Sequence, residues 1–124
     1  MADGTGGLEG CRVLVVEDEA MVAMLVEDIL ADAGCRVIGP APNAEEALRL
    51  VREAAPDAAS LDINLGSGEV YPVAEELASR GVPFVLVSGY DRENVLARYR
   101  RWPILQKPFT PEGLVAALRR VLAA

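Results

Sequence analysis

Five side chains capable of chemistry stand at the ends of short apolar runs in this chain of 124 residues. Glu17 and Asp18 close VLVVEDE, Asp62 ends ASLD, Ser88 follows FVLV, and Lys107 follows ILQ. Each run reads as a buried strand. In an open parallel sheet the C-terminal strand ends share one edge, where such folds place their sites. Three carboxylates, a hydroxyl and a lysine would then meet in one shallow cleft. Such a set suits a metal-assisted phosphoryl acceptor.

The acids define the chemistry most sharply. Oxygen-only ligands suit a hard cation, and Mg2+ typically takes one or two carboxylates, a carbonyl and several waters. Glu17, Asp18 and Asp62 supply the carboxylates, with a carbonyl from the loop just after Asp62. An Asp62 oxygen can then attack phosphorus in line to form an acyl phosphate. Ser88 can donate to a phosphoryl oxygen, and Gly89 beside it leaves the group room to enter. The Lys107 ammonium can pair with Asp62 in the free state and with phosphoryl oxygens in the loaded one. Each residue also has a plainer reading. Acids near a helix start complement its dipole, Ser-Gly marks a turn, and Lys-Pro ends a strand. All of them at matching strand ends favour the site.

The elements that must position these residues follow from periodicity. The run at 13–16 has the unbroken character of a strand buried on both faces; 58–61 and 84–87 read as further strands, with shorter ones at 36–39 and 104–105. Between them lie helical stripes. Met21, Val22, Leu25, Val26, Ile29, Leu30 and Ala33 form the first, closed by Gly34. Asn43 with Glu46 reads as a capping box for the second. A third spans 70–80 and ends at Gly81, and a weaker fourth starts near Asp91. Thr110-Pro111 opens the last, along Leu114, Val115, Leu118, Val121 and Leu122. The alternation predicts an α/β, flavodoxin-like (βα)5 doubly wound parallel sheet of order 2-1-3-4-5. That order sets Asp18 and Asp62 side by side. A flavodoxin proper cradles phosphate after its first strand, and a carboxylate cluster would repel it.

Composition narrows the classes. A net charge of −7 without a basic stripe argues against direct nucleic-acid binding. No apolar run reaches the roughly 18 residues of a membrane span. The Gly-rich start lacks the pattern of a signal peptide, so a cytoplasmic protein is expected. Residues 1–10 read as a flexible leader and 11–124 as one domain. Cys11 and Cys35 open neighbouring strands and are expected as reduced, half-buried thiols rather than a redox pair. The chain has no histidine, which excludes a Ser-His triad and most zinc sites.

In order, VLVVEDE, the strand ending in LD, VSGY and KPF resemble the receiver domain of two-component response regulators over residues 11–122. The resemblance implies Mg2+-dependent phosphotransfer to Asp62 from a histidine kinase or histidine phosphotransferase. It makes Asp18 the direct metal ligand, Glu17 an acid acting through water, and Asn64 the donor of a backbone carbonyl. Ser88 becomes the switch hydroxyl and Lys107 the family lysine. PFVLVSGY also resembles the stand-alone alphaproteobacterial FATGUY regulators, matched at Pro83, Phe84 and Gly89, conservatively at Ser88, and not at Leu86 or Val87. That subgroup implies a phosphate shuttle or sink, in stress signalling.

Two departures stand out. NLGSGEVYPV lacks the proline and Asp-Gly that commonly follow the acceptor, and Ile104 stands where many receivers carry an aromatic switch residue. Tyr90 is an alternative aromatic at the cleft mouth. Tyr99, Arg100, Arg101 and Trp102 suggest a basic and aromatic contact surface, with Trp102 exposed, for an unknown downstream protein or a weak homodimer. Met1 and the full final helix favour a stand-alone chain over a receiver cut from a hybrid histidine kinase. A docking-only pseudo-receiver has the complete site against it. A haloacid-dehalogenase-type phosphatase needs a second Asp two residues after its nucleophile, which neither Asp18 nor Asp62 has.

Overall fold

The three central strands, RVLVV, AASLD and FVLVS, are largely apolar because helices cover both of their faces. The computed structural model describes residues 8–66, 68–90 and 95–123. In chain order the elements are β1 (Arg12–Val16), α1 (Ala20–Asp32), β2 (Arg36–Ala41), α2 (Ala44–Ala54) and β3 (Ala58–Asp62). There follow β4 (Asn64–Leu65), β5 (Gly68–Glu69), α3 (Tyr71–Ser79), β6 (Phe84–Ser88), a 3-10 turn (Ala97–Tyr99), β7 (Ile104–Gln106) and α4 (Pro111–Ala123). Strands pair in the order β2-β1-β3-β6-β7, and every pairing in this sheet is parallel. This is the expected flavodoxin-like 2-1-3-4-5 sheet. Every residue of β3 and β6 is buried, while the edge strands β2 and β7 carry mixed burial.

Strand alternation splits the core in two. Leu14, Val16, Leu61 and Leu86 face one side and meet Val51 of α2 with Val73 and Leu77 of α3. Val13, Val15 and Val85 face the other, against Val26 and Leu30 of α1 and Leu114 and Leu118 of α4. Leu8 joins this second layer, wholly buried, so the packed body reaches back into the segment read as a leader. The rest of that segment, residues 1–7, lies outside the described residues. Both cysteines are free and buried here; burial pushes the Cys35 thiol up to about 11.

Local signals set the helix ends. Asn43 Oδ1 accepts from the Glu46 amide at 2.8 Å, but the Glu46 carboxylate turns to Arg49 rather than back to Asn43, so only half of the capping box forms. Thr110 Oγ1 accepts from the Gly113 amide at 2.9 Å, with Pro111 at the first helical position. Gly34 and Gly81 sit beyond α1 and α3 with φ of +86° and +72°, a left-handed conformation that costs glycine little.

Two expectations need correction, and a third falls partly outside the described residues. The α1 stripe is wider than the core it faces: Val26, Ile29 and Leu30 are buried, but Met21 and Leu25 are exposed. Sequence periodicity counted apolar residues from two adjoining faces. The start of the helix expected near Asp91 lies outside the described residues; between Val95 and β7 the described residues form one short 3-10 turn. Trp102 is half-buried rather than displayed. Its ring packs edge-on to Phe84 at 5.2 Å and tilted against Tyr71 at 5.5 Å, and Arg101 covers it at 4.1 Å. Tyr99, beside it in the sequence, is wholly buried against Tyr71.

An indole built into the core in this way supports the fold. Trp102→Ala should lower unfolding free energy by about 2–3 kcal/mol, read from urea denaturation. A surface contact residue would change it by no more than about 0.5 kcal/mol.

Candidate functional site

Sheet register alone assembles the site. Val16 pairs with Leu61, so the next residues, Glu17 and Asp62, leave adjacent strands side by side. Asp62 pairs with Val87 and Ser88 with Gln106, which puts Ser88 and Lys107 one step beyond those partners. The Lys107 amide donates to the Ser88 carbonyl at 2.7 Å, and the Glu17 amide to the Ala41 carbonyl at 3.0 Å. The strand tips are thus tied to one another.

The side chains converge as the register requires. Carboxylate oxygens of Glu17, Asp18 and Asp62 all lie within 4.8 Å of one another. Lys107 Nζ stands 3.2 Å from Asp62 Oδ2 and 3.5 Å from Glu17 Oε1. Asp62 Oδ1 accepts from the Asn64 amide at 3.0 Å. Glu17, Asp62 and Ser88 are 5 %, 4 % and 2 % exposed, whereas Asp18 is open to solvent. Ser88 Oγ accepts from the Tyr90 amide at 2.9 Å. Every residue expected of the site lies at this sheet edge. Asn64 begins β4 beside Asp62, and in the structure its backbone N–H donates a hydrogen bond to that carboxylate.

Crowding and burial shape the charges. Burial, a hydrogen bond with Asp62 and that group's negative charge push the Glu17 carboxyl up to about 7, against the pull of the Glu19 amide and Lys107. Burial alone would lower the Lys107 ammonium, but Asp62 and Glu17 outweigh it and hold its pKa above the ordinary lysine value. A cluster that cannot comfortably ionise is one a divalent cation would relieve. The all-oxygen donor set fits a hard cation and not a soft one.

Sequence reasoning missed the loop that closes the site. β4 and β5 pair antiparallel as a small hairpin after Asp62. Its Gly66 amide donates to Asp18 Oδ2 at 2.7 Å, and a Cβ on Gly66 would stand 3.0 Å from that same oxygen. Gly66-Ser67 between Leu65 and Gly68 was the available signal. Also missed was Tyr99, which with Ser88, Asn64 and Tyr90 lines a cleft of about 210 Å³. Nothing in its sequence context marks it.

The profile of the response regulator receiver domain matches residues 13–119. The chain belongs to the receiver-domain family. SdrG from Sphingomonas melonis Fr1 is similar at 40 % identity and a TM-score of 0.79, covering 93 % of this chain and 98 % of SdrG. Its BeF3-activated conformation matches at 41 % identity, a TM-score of 0.77, and 98 % and 99 % coverage. A PhyR stress response regulator matches at 30 % identity and a TM-score of 0.79, over 91 % of this chain and 45 % of that one. The transcriptional regulatory protein PdtaR of Mycobacterium tuberculosis is 29 % identical over 86 % of this receiver. The receiver spans only 54 % of PdtaR, about half, as with the PhyR chain.

Glu17 makes stability depend on pH. Its carboxyl ordinarily titrates near 4.5 and in the fold near 7, so the folded state binds the proton more tightly between those values. Stability should therefore fall as pH rises through that window. In metal-free buffer Glu17→Gln should be more stable than wild type at pH 8 and nearly equal to it at pH 4.5. Equal stability at pH 8 would show that burial of this carboxylate carries no penalty.

Proposed function

We propose that this receiver accepts a phosphoryl group on Asp62, with Mg2+, from a histidine kinase or histidine phosphotransferase. The observation that carries the reading is the buried Asp62 carboxylate, 3.2 Å from Lys107 Nζ and grouped with Glu17 and Asp18. A structural aspartate at a strand end has no need of two further acids and a lysine. Glu17, Asp18 and Asp62, with the Asn64 carbonyl, would hold the metal. When bound it would neutralise charge on the incoming phosphoryl oxygens. An Asp62 oxygen forms the new P–O bond as the P–N bond to the donor histidine breaks. Lys107 passes from Asp62 to a phosphoryl oxygen, and Ser88 donates its hydroxyl to another.

The donor reaches the acceptor past an apolar rim. Met21, Met24 and Leu25 of α1 are exposed, and Val22, Leu25, Pro108 and Phe109 line a cleft with Lys107 itself. A helix carrying the phosphohistidine would pack there. Among the described residues no helix is long and apolar enough to cross a membrane; action in the cytoplasm is part of the proposal.

The likeness to SdrG over nearly its whole length supports a stand-alone receiver, and with it we propose the FATGUY-type shuttle or sink that signals through protein contacts. The PhyR likeness, to a stress response regulator, favours stress signalling as the setting. The net charge of −7 argues against nucleic acid as the partner of this chain.

Intact mass after incubation with acetyl phosphate tests the reading. Wild type with magnesium should gain a single phosphoryl group, and Asp62→Ala or wild type with EDTA should gain none. Gain by Asp62→Ala would move the acceptor elsewhere. No gain by wild type, together with magnesium affinity unchanged by Asp62→Ala, would leave a docking-only pseudo-receiver.

A further inference from the structure

The core contains a stranded polar group. Tyr99, at the end of the 3-10 turn, is 1 % exposed, and its hydroxyl has no hydrogen-bond partner among the described residues. Burial pushes its phenol above the ordinary tyrosine value; Arg98 and the Tyr71 backbone amide oppose this, the amide falling short of hydrogen-bonding geometry. Native folds pair nearly all such groups, so an exception asks for a reason.

Its surroundings supply one. Tyr99 and Ser88 line the same cleft of about 210 Å³, and Ser88 spends its oxygen there on the Tyr90 amide. On the other flank the Arg98 guanidinium lies 4.6 Å over the Tyr71 ring and 5.6 Å over that of Tyr99. Arg98 also pairs with Glu69, in the hairpin that follows Asp62. Tyr99 therefore sits between the strand end that carries Ser88 and the loop that leaves the acceptor. Tyr90, by contrast, is 59 % exposed.

We infer that Tyr99 is a positioning residue of the acceptor: its hydroxyl gains a partner in the cleft when Ser88 turns from the Tyr90 amide toward a phosphoryl group on Asp62. The inference rests on the reading of Asp62 as acceptor. A bound group shifts a conformational equilibrium only through contacts that differ between the two states. The Tyr99 hydroxyl, unpaired in one state and paired in the other, provides such a difference. Movement of the turn reaches Trp102, whose amide donates to the Tyr99 carbonyl at 3.1 Å and whose ring shares Tyr71 with it.

Trp102 is the chain's one tryptophan, so its emission reports the turn directly. Wild type and Tyr99→Phe are titrated with beryllofluoride in the presence of magnesium, with thermal midpoint and phosphoryl uptake from acetyl phosphate measured alongside. Tyr99→Phe should keep or raise the thermal midpoint, because no bond is lost in the free state. It should still take up a phosphoryl group, more slowly, and need about tenfold more beryllofluoride for half of the emission change, on the order of one net hydrogen bond. A lowered thermal midpoint would show the hydroxyl already bonded, and an unshifted titration would show it idle. Either result overturns the inference, as does phosphoryl uptake by wild type with no emission change. Absence of uptake by wild type overturns the acceptor reading itself, and this inference with it.

Discussion

The buried charge at the sheet edge is the constraint around which the rest is arranged. Two carboxylates, Glu17 and Asp62, are held as neighbours where little water reaches them, and Lys107 is the cation between them. Removing such charges from water costs several kcal/mol each unless partners replace the solvent. Here the replacement is incomplete, as the raised Glu17 carboxyl shows. The site is held in an electrostatically unsatisfied condition by the stability of the sheet beneath it. Groups that would be content alone have no affinity to spare for a cation or a phosphoryl group.

Rigid strands make that condition sustainable. β1, β3 and β6 are buried on both faces and in parallel register, so their last residues cannot separate without breaking the core layers that Leu14, Leu61 and Leu86 share with α2 and α3. Large buried aliphatic side chains each contribute about 1.5–3 kcal/mol, enough together to hold a local electrostatic penalty. Loops, by comparison, are tied to the site by single bonds: Gly66 to Asp18, Asn64 to Asp62, Tyr90 to Ser88. These are also the bonds that a metal or a phosphoryl group would compete for. Fixed acids and releasable loops give the division of labour a conformational switch requires.

Aromatic packing extends the same logic away from the acceptor. Tyr71, Phe84, Tyr99 and Trp102 form one contact chain at 5.2–5.5 Å between ring centres. Arg98 and Arg101 lie over its outer side. Of the arginines read from the sequence as part of a contact surface, Arg101 covers the Trp102 ring and donates to the Tyr71 hydroxyl, and Arg100 donates to the Val95 carbonyl; Arg98, outside that reading, pairs with Glu69. What looked like a contact patch is also the packing that links the loop after Asp62 to the turn after Ser88.

The strands and the place of the candidate site residues at their ends were legible in the chain because both depend on short-range signals, and the alternation with right-handed crossovers pointed to the sheet order. Unbroken apolar runs such as 13–16 and 84–87 mark strands buried on both faces, and a polar residue ending such a run lies at the sheet edge. Caps at Asn43 and Thr110 were equally local. The burial of Tyr99 and Trp102, the exposure of Met21 and Leu25, and the bond from Gly66 to Asp18 were decided by tertiary structure alone. Each depends on which distant segment occupies the space beside it: α3 against the aromatic segment, none of the described residues over the outer face of α1, a hairpin folded back across the first strand's end. Periodicity tells a side chain which face of its own element it occupies. Only the packed fold determines whether anything covers that face.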